Sequence, residues 1–166
     1  MPRRSAGLLL YRTGPGGALE VLLVHFGGPL WAAKDEGAWA MPKGEPGPGE
    51  DDEAVAEREF AEELGSPAPA GPRTDLGEVR QAGGKRTRVW ALAGDLDVEG
   101  VTSNTFSMEW PLRSGRTASF PEVDRAAWFA LAEARRRILP SLLPFLDRLA
   151  AALGAAGEGF RGPDEG

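Results

Sequence analysis

Three glutamates, Glu59, Glu62 and Glu63, recur at three- and four-residue spacing within the stretch Glu50–Leu64. On a helix, which turns about 100° per residue, their side chains share an arc of roughly 100°. Ala54, Ala56, Phe60, Ala61 and Leu64 fall on the opposite side and can face a core, although Glu57 interrupts that apolar arc. Like charges at these spacings cost roughly 0.2–0.5 kcal/mol per pair when nothing lies between them. A bound divalent cation would turn that repulsion into attraction. Taken alone, the glutamates leave a second reading open, a solvated acidic face on an acidic protein. The ends of the segment fit a helix. Asp51, Asp52 and Glu53 stand in the first turn, where the helix dipole favours negative charge, and Gly65 is placed to end it.

Composition narrows the chemistry. Of 166 residues, 25 are Asp or Glu and 19 are Lys or Arg, for a formal charge of -6. That balance argues against a generic nucleic-acid binder, which carries a basic excess. The absence of cysteine and the single histidine, His25, exclude disulfides, thiolate zinc sites, a thiol nucleophile and any multi-histidine metal centre. A metal ion would therefore sit among oxygens, as magnesium, calcium or manganese do. One helix offers too few oxygens for calcium's larger ligand shell.

Upstream of the glutamates the chain reads Gly44-Glu45-Pro46-Gly47-Pro48-Gly49-Glu50. Seven residues later comes Arg58-Glu59-Phe60-Ala61-Glu62-Glu63-Leu64-Gly65-Ser66. This resembles the Nudix box: Gly, five residues, Glu, seven residues, Arg-Glu, an apolar residue, any residue, Glu-Glu, any residue, Gly, an apolar residue. Only the last position departs, with Ser66 just past the helix. The resemblance implies an α/β/α sandwich around a mixed β-sheet and a hydrolase with water as co-substrate. It implies that Glu59, Glu62 and Glu63, with Gly44 beside them, hold Mg2+, or Mn2+, against a pyrophosphate. Arg58 would orient the carboxylates and Glu50 would support the passage from loop to helix. Gly44, Gly47 and Gly49 permit a tight loop whose backbone can approach metal and phosphate. Such ions neutralise charge building on the phosphates and activate water for in-line attack.

Outside the box the resemblance is looser, running from about Ser5 to Leu149. Trp39-Ala40-Met41-Pro42-Lys43-Gly44 looks like the strand leading into the box in nucleotide-cleaving members, which makes Lys43 a candidate phosphate contact. Lys85-Arg86-Thr87-Arg88-Val89-Trp90 alternates on an expected strand, so Arg86 and Arg88 share one face and Lys85 and Thr87 the other. Arg86 and Arg88 are the candidates for polyphosphate. Glu122 precedes Trp128 by six residues and resembles the late-loop glutamate that serves some family members as an extra metal ligand or base, with Glu109 as the competing candidate. Trp31, Phe106 and Trp110 are able to stack a base. His25, ending an apolar run, reads as structural. The closest likeness within the family is to diadenosine polyphosphate hydrolases. Hydrolysis of nucleoside triphosphates is the second reading, and a nucleotide-sensing module without turnover the third.

These residues need elements to position them. Ala6–Arg12 and Leu19–Phe26 read as strands joined by the turn-forming cluster at 13–17. Residues 27–49 read as a long functional loop. Further strands are expected at Asp75–Gln81, Thr87–Ala93, Thr105–Trp110 and Ala126–Ala130. A last helix is expected where Leu142, Leu146, Leu149 and Leu153 recur, with Pro140 in its first turn. The whole reads as a single α/β or α+β domain over 1–153, followed by a flexible tail at 154–166. No apolar run approaches a membrane span or a signal-peptide core. The expected setting is the cytoplasm, and the expected partner is a small-molecule nucleotide, with neither nucleic acid nor membrane.

Overall fold

The structure, a computed structural model, describes residues 3–160, with side chains to Gly154. In chain order the elements are β1 (Arg4–Thr13), β2 (Leu19–Phe26), β3 (Trp39–Ala40), β4 (Lys43–Gly44), α1 (Asp52–Leu64), β5 (Thr74–Arg80) and β6 (Arg86–Ala93). They are followed by β7 (Thr105–Glu109), β8 (Thr117–Pro121), β9 (Val123–Ala130), α2 (Leu131–Arg137) and α3 (Leu143–Phe160). The main sheet is mixed, in the order β3-β2-β1-β6-β5. Its β1–β6 pair is parallel and the others are antiparallel.

A gap in this sheet positions the site. β1 and β2 pair only near their connecting turn, from Tyr11↔Val21 to Thr13↔Leu19. Beyond that, β3 pairs with β2 at Val24 and His25, β4 pairs with β1 at Ala6 and Gly7, and β9 lines the other edge of β2. Residues 39–44 thus fill the space between the two splayed strands. Gly7 makes this possible, since a Cβ there would lie 2.4 Å from the Pro42 carbonyl oxygen.

Alternation along the central strands divides the core into two layers. Leu8, Leu10, Leu22, Val24, Trp90 and Leu92 meet Val55, Ala56, Phe60 and Leu64 of α1. Leu9, Val21, Leu23, Val89 and Ala91 meet Ala134 of α2 and Phe145, Leu146 and Leu149 of α3, with Ile138 and Leu142 between the helices. This is the expected α/β/α sandwich. α1 begins two residues later than expected, because Asp51 caps it by accepting from the Ala54 N–H at 2.8 Å while the Glu50 side chain turns back to the Gly47 N–H at 2.9 Å. Ala54 is exposed, and Glu57 pairs with Arg73 at 2.8 Å. Gly65 ends α1 in the left-handed region at φ 79°.

Pro140 stands in a short turn before α3, and the Leu142, Leu146 and Leu149 stripe is buried as expected. β8 and α2 have no counterpart in the sequence expectations, and β9 starts at Val123 rather than Ala126. Over part of the expected tail at 154–166 the α3 backbone stays helical to Phe160; residues 161–166 lie outside the described residues. Among the described residues no helix is long and apolar enough to cross a membrane.

Candidate active site

α1 presents Glu59, Glu62 and Glu63 toward the loop that leaves β4. Gly44 is where the two touch: a Cβ there would stand 2.1 Å from the Glu59 carboxyl carbon, so the carboxylate lies against bare backbone. Glu63 is only 8% exposed. Burial, and then the charge of Glu59, push its carboxyl up to about 9, against the opposing pull of Lys43 and its peptide N–H. Glu59 is also raised, by burial and by the charge of Glu62. Carboxylates do not crowd this way without something to hold them.

Arg58 holds two of them, Glu59 and Glu62. Its Nη1 donates to Glu59 Oε2 at 2.8 Å and to Glu62 Oε2 at 3.0 Å. Its Nε and Nη2 donate to the two Glu50 oxygens at 2.7 and 2.8 Å, and Nη2 reaches the Glu45 carbonyl at 3.0 Å. This planar fork joins loop and helix in one bidentate contact. Hydrogen bonds from Arg58 and the Gly47 N–H hold the Glu50 carboxyl down at about 2.

Charged groups continue on both sides of the helix. On one side burial, and then the charge of Lys85, lower the Lys43 ammonium to about 8. Lys85 Nζ lies 3.9 Å from Glu45, which also pairs with Arg3. Lys85 is therefore the basic residue of its segment that lies beside Lys43 and the loop leaving β4. Arg86 and Arg88 do not join it: Arg86 faces Glu78 at 3.9 Å, and Arg88 pairs with Asp75 at 2.6 Å and stands over Trp90, near the first turn of α1. On the other side, Asn104, given no role by the sequence, ties the cluster to Glu122, just before β9. Its backbone N–H donates to the Glu62 carbonyl at 2.8 Å and its Nδ2 to Glu62 Oε1 at 3.3 Å, while its carbonyl receives the Glu122 N–H at 2.9 Å. Glu122 is an exposed residue whose carboxyl is partly desolvated. That burial, with the charge of Glu62, raises it.

Beyond Glu122 lies a cavity of about 190 Å³ lined by Phe26, Gly27, Gly28, Leu30, Trp31, Phe106, Met108 and Glu122. Two of the expected stacking residues, Trp31 and Phe106, meet there. Trp110 lies at the far end of the β7–β8 hairpin, outside this lining. Glu109 caps that turn, accepting from the Arg113 and Gly115 N–H groups at 3.1 and 2.9 Å. His25 is fully buried, with Nδ1 2.9 Å from Asp124 Oδ1 and Nε2 2.6 Å from the Lys34 carbonyl, which fits the structural role expected of it.

The donor set suits a hard divalent cation: carboxylate oxygens, a buried member that charge compensation would favour, and a glycine backbone with no Cβ in the way. Among the described residues no acidic trio is already arranged as a ligand set, and Arg58 occupies oxygens of Glu59 and Glu62.

The chain matches the family model of the NUDIX domain over residues 1–149. No curated protein matches it. Among solved structures it is similar to a C. elegans Ap4A hydrolase binary complex, at 24% identity and a TM-score of 0.63, covering 92% of this chain and 98% of that one. It is similar to the NUDIX domain of Shewanella oneidensis NrtR complexed with ADP ribose, at 17% identity and a TM-score of 0.65, covering 92% and 89%. A mutT/nudix family protein from Listeria innocua gives 19% identity and a TM-score of 0.62, covering 94% and 97%. At these identities the likeness is one of fold. The family match reaches further: the chain belongs to the NUDIX domain family.

Proposed function

We propose that the chain is a Mg2+-dependent pyrophosphohydrolase, with Mn2+ as a competent substitute, acting on a nucleoside diphosphate-linked substrate, foremost a dinucleoside polyphosphate. The observation that carries this reading is geometric: Glu59, Glu62 and the buried Glu63 stand on one helix, with the Glu59 carboxylate against the bare backbone of Gly44. In this reading Glu59, Glu62 and Glu63, the Gly44 backbone and Glu122 hold the ion. The ion, when bound, supplies charge neutralisation on the phosphates and a more acidic water. Arg58 positions Glu59 and Glu62 and anchors them to Glu50. Lys43 and Lys85 bind the phosphate chain; Arg86 and Arg88, held by acidic partners elsewhere, do not. A water oxygen bonds to phosphorus and gives its proton to a carboxylate of the cluster, the anhydride P–O bond breaks, and the departing phosphate keeps the electron pair.

The likeness to an Ap4A hydrolase supports the choice of substrate, as does the lysine pair, which suits a chain longer than a single pyrophosphate. The test is product identification with diadenosine tetraphosphate, nucleoside triphosphates, nucleotide sugars and ADP-ribose, in Mg2+, against Glu63→Gln and against chelator. Asymmetric cleavage to ATP and AMP is expected. Conversion of triphosphates to monophosphate and pyrophosphate, with the dinucleotide untouched, would replace the substrate. Binding without turnover of any member would make the chain a nucleotide sensor.

A further inference from the structure

We propose that Gln81 is a positioning residue for phosphate binding: a hydrogen-bond relay from β1 to the turn before α3 passes through its side chain and fixes the β5–β6 turn that carries Lys85. The assignment rests on the reading above, in which Lys43 and Lys85 bind the phosphate chain.

The relay runs in one direction. Thr87 Oγ1 donates to Gln81 Oε1 at 2.6 Å, which commits its single proton. Ser5 Oγ, 2.8 Å from Thr87 Oγ1, therefore donates to it. Gln81 Nε2 in turn donates to Ser141 Oγ at 2.7 Å. Ser5 is 2% exposed and Thr87 is fully buried, so neither hydroxyl has water as an alternative partner. Their bonds hold the Gln81 amide in one orientation, between the sheet and the segment that leads into α3.

The turn needs such an anchor. In Gln81-Ala82-Gly83-Gly84-Lys85, the Gln81 N–H donates to the Lys85 carbonyl at 2.7 Å and the Gly84 N–H to the Gln81 carbonyl at 3.1 Å. Gly83 and Gly84 lie at φ 80° and 84°, and a Cβ at either would meet nothing, so no neighbour packs on the tip. The β6 leg is held by its own backbone, the Arg86 N–H donating to the Arg3 carbonyl at 2.9 Å. The β5 leg is held through the Gln81 side chain.

Lys85 is what the turn presents to the site. Among the described residues its ammonium makes no hydrogen bond; the Glu45 carboxylate lies 3.9 Å from Nζ and also pairs with Arg3. Glu45 joins this point to the carboxylate cluster, because its carbonyl accepts from Arg58 Nη2 at 3.0 Å. A lysine is a point charge on a flexible stem, and ordering it weakens binding unless its backbone is already fixed.

The experiment is calorimetric titration of the full chain with inorganic tripolyphosphate in Mg2+, which needs no turnover, beside KM and kcat on diadenosine tetraphosphate. Lys85→Met should weaken tripolyphosphate binding about 10-fold or more, as loss of a charge-assisted hydrogen bond does. Gln81→Leu should weaken it about 3- to 10-fold and raise KM likewise, with kcat within about twofold, as expected for coupled residues of one network. The two substitutions together should bind as weakly as Lys85→Met alone, because Gln81 acts through Lys85. Thr87→Val keeps the shape but breaks the relay, so it should behave as Gln81→Leu does. Thr87→Ser keeps the hydroxyl and should bind as wild type, even where the lost methyl lowers the melting midpoint. Additive losses in the double variant, undiminished binding by Gln81→Leu, or binding that follows the melting midpoint across the Thr87 pair would overturn the proposal and leave Lys85 in the phosphate site. Undiminished binding by Lys85→Met, or no binding by wild type, would remove Lys85 from that site and the proposal with it. If diadenosine tetraphosphate is not cleaved, the substrate of the hydrolase reading fails, and the tripolyphosphate series alone decides for or against Gln81.

Discussion

At Glu50, two hydrogen bonds from Arg58 and one from the Gly47 N–H favour the ionised carboxyl and bring it from 4.5 down to about 2. The folded pKa lies below the unfolded one, so the contribution to stability is present above about 4.5 and is lost as pH falls toward about 2. Glu50→Gln removes that contribution. Thermal melts of wild type and variant should differ at pH 6–7, with the variant lower, and converge near pH 2; parallel curves down to pH 2 would show that the fork is not what holds the carboxyl. The same substitution loosens Arg58, which then positions Glu59 and Glu62 less well. Removing such an outer partner of a metal ligand costs about 10- to 100-fold in metal affinity or activity, and a Mn2+ titration of Glu50→Gln measures it.

Two glycines separate what the elements do for the fold from what they do for the site. An added Cβ at Gly7 would strike the Pro42 carbonyl, 2.4 Å away, and so would push β4 out of the gap between β1 and β2. An added Cβ at Gly44 would strike the Glu59 carboxylate, the far end of a flexible side chain that can swing aside. Gly7→Ala should therefore lower the melting midpoint by several degrees. Gly44→Ala should leave it within about 3 °C, the shift expected of roughly 1 kcal/mol in a domain of this size, while weakening Mn2+ binding. Equal loss of stability in both would place Gly44 in the fold instead of the site.

The carboxylate face of α1 was legible from spacing alone, because a helix carries its own period and its own stop at Gly65. β3 and β4 are two residues each and show no period. The gap they fill is a property of how β1 and β2 diverge. α2 buries only Ala134, so it leaves no apolar stripe to read. Alternation correctly separated Arg86 and Arg88 from Lys85, yet which of the two sets meets the lysine before the box depends on the turn preceding β6. Asn104 had no signal at all: its contacts to Glu62 and Glu122 join residues distant in sequence.

On the scale of the whole molecule, two core layers hold fixed a sheet end on which like charges are crowded. Packing of Phe60 and Leu64 beneath α1 fixes the helix with Glu63 only 8% exposed, so the helix cannot relieve the repulsion by shifting. In the free chain a proton on the Glu63 carboxyl relieves it, and a cation that binds the folded chain and not the unfolded one would take the proton's place. Such a ligand stabilises by about 2.7 kcal/mol at a hundred times its dissociation constant, which corresponds to a rise of about 5–10 °C in a domain of this size. Saturating Mg2+ should produce that rise in wild type, and chelator should reverse it together with the activity. Glu63→Gln tests whether the carboxylates are the reason. The neutral amide suits the buried position, so the variant should melt no lower than wild type in chelator. It should then gain little from Mg2+ and turn over at least about 100-fold more slowly. An undiminished Mg2+ shift in the variant would move the ion elsewhere on the chain, and a shift absent from both proteins would mean that the substrate's phosphates are needed to bring the ion in.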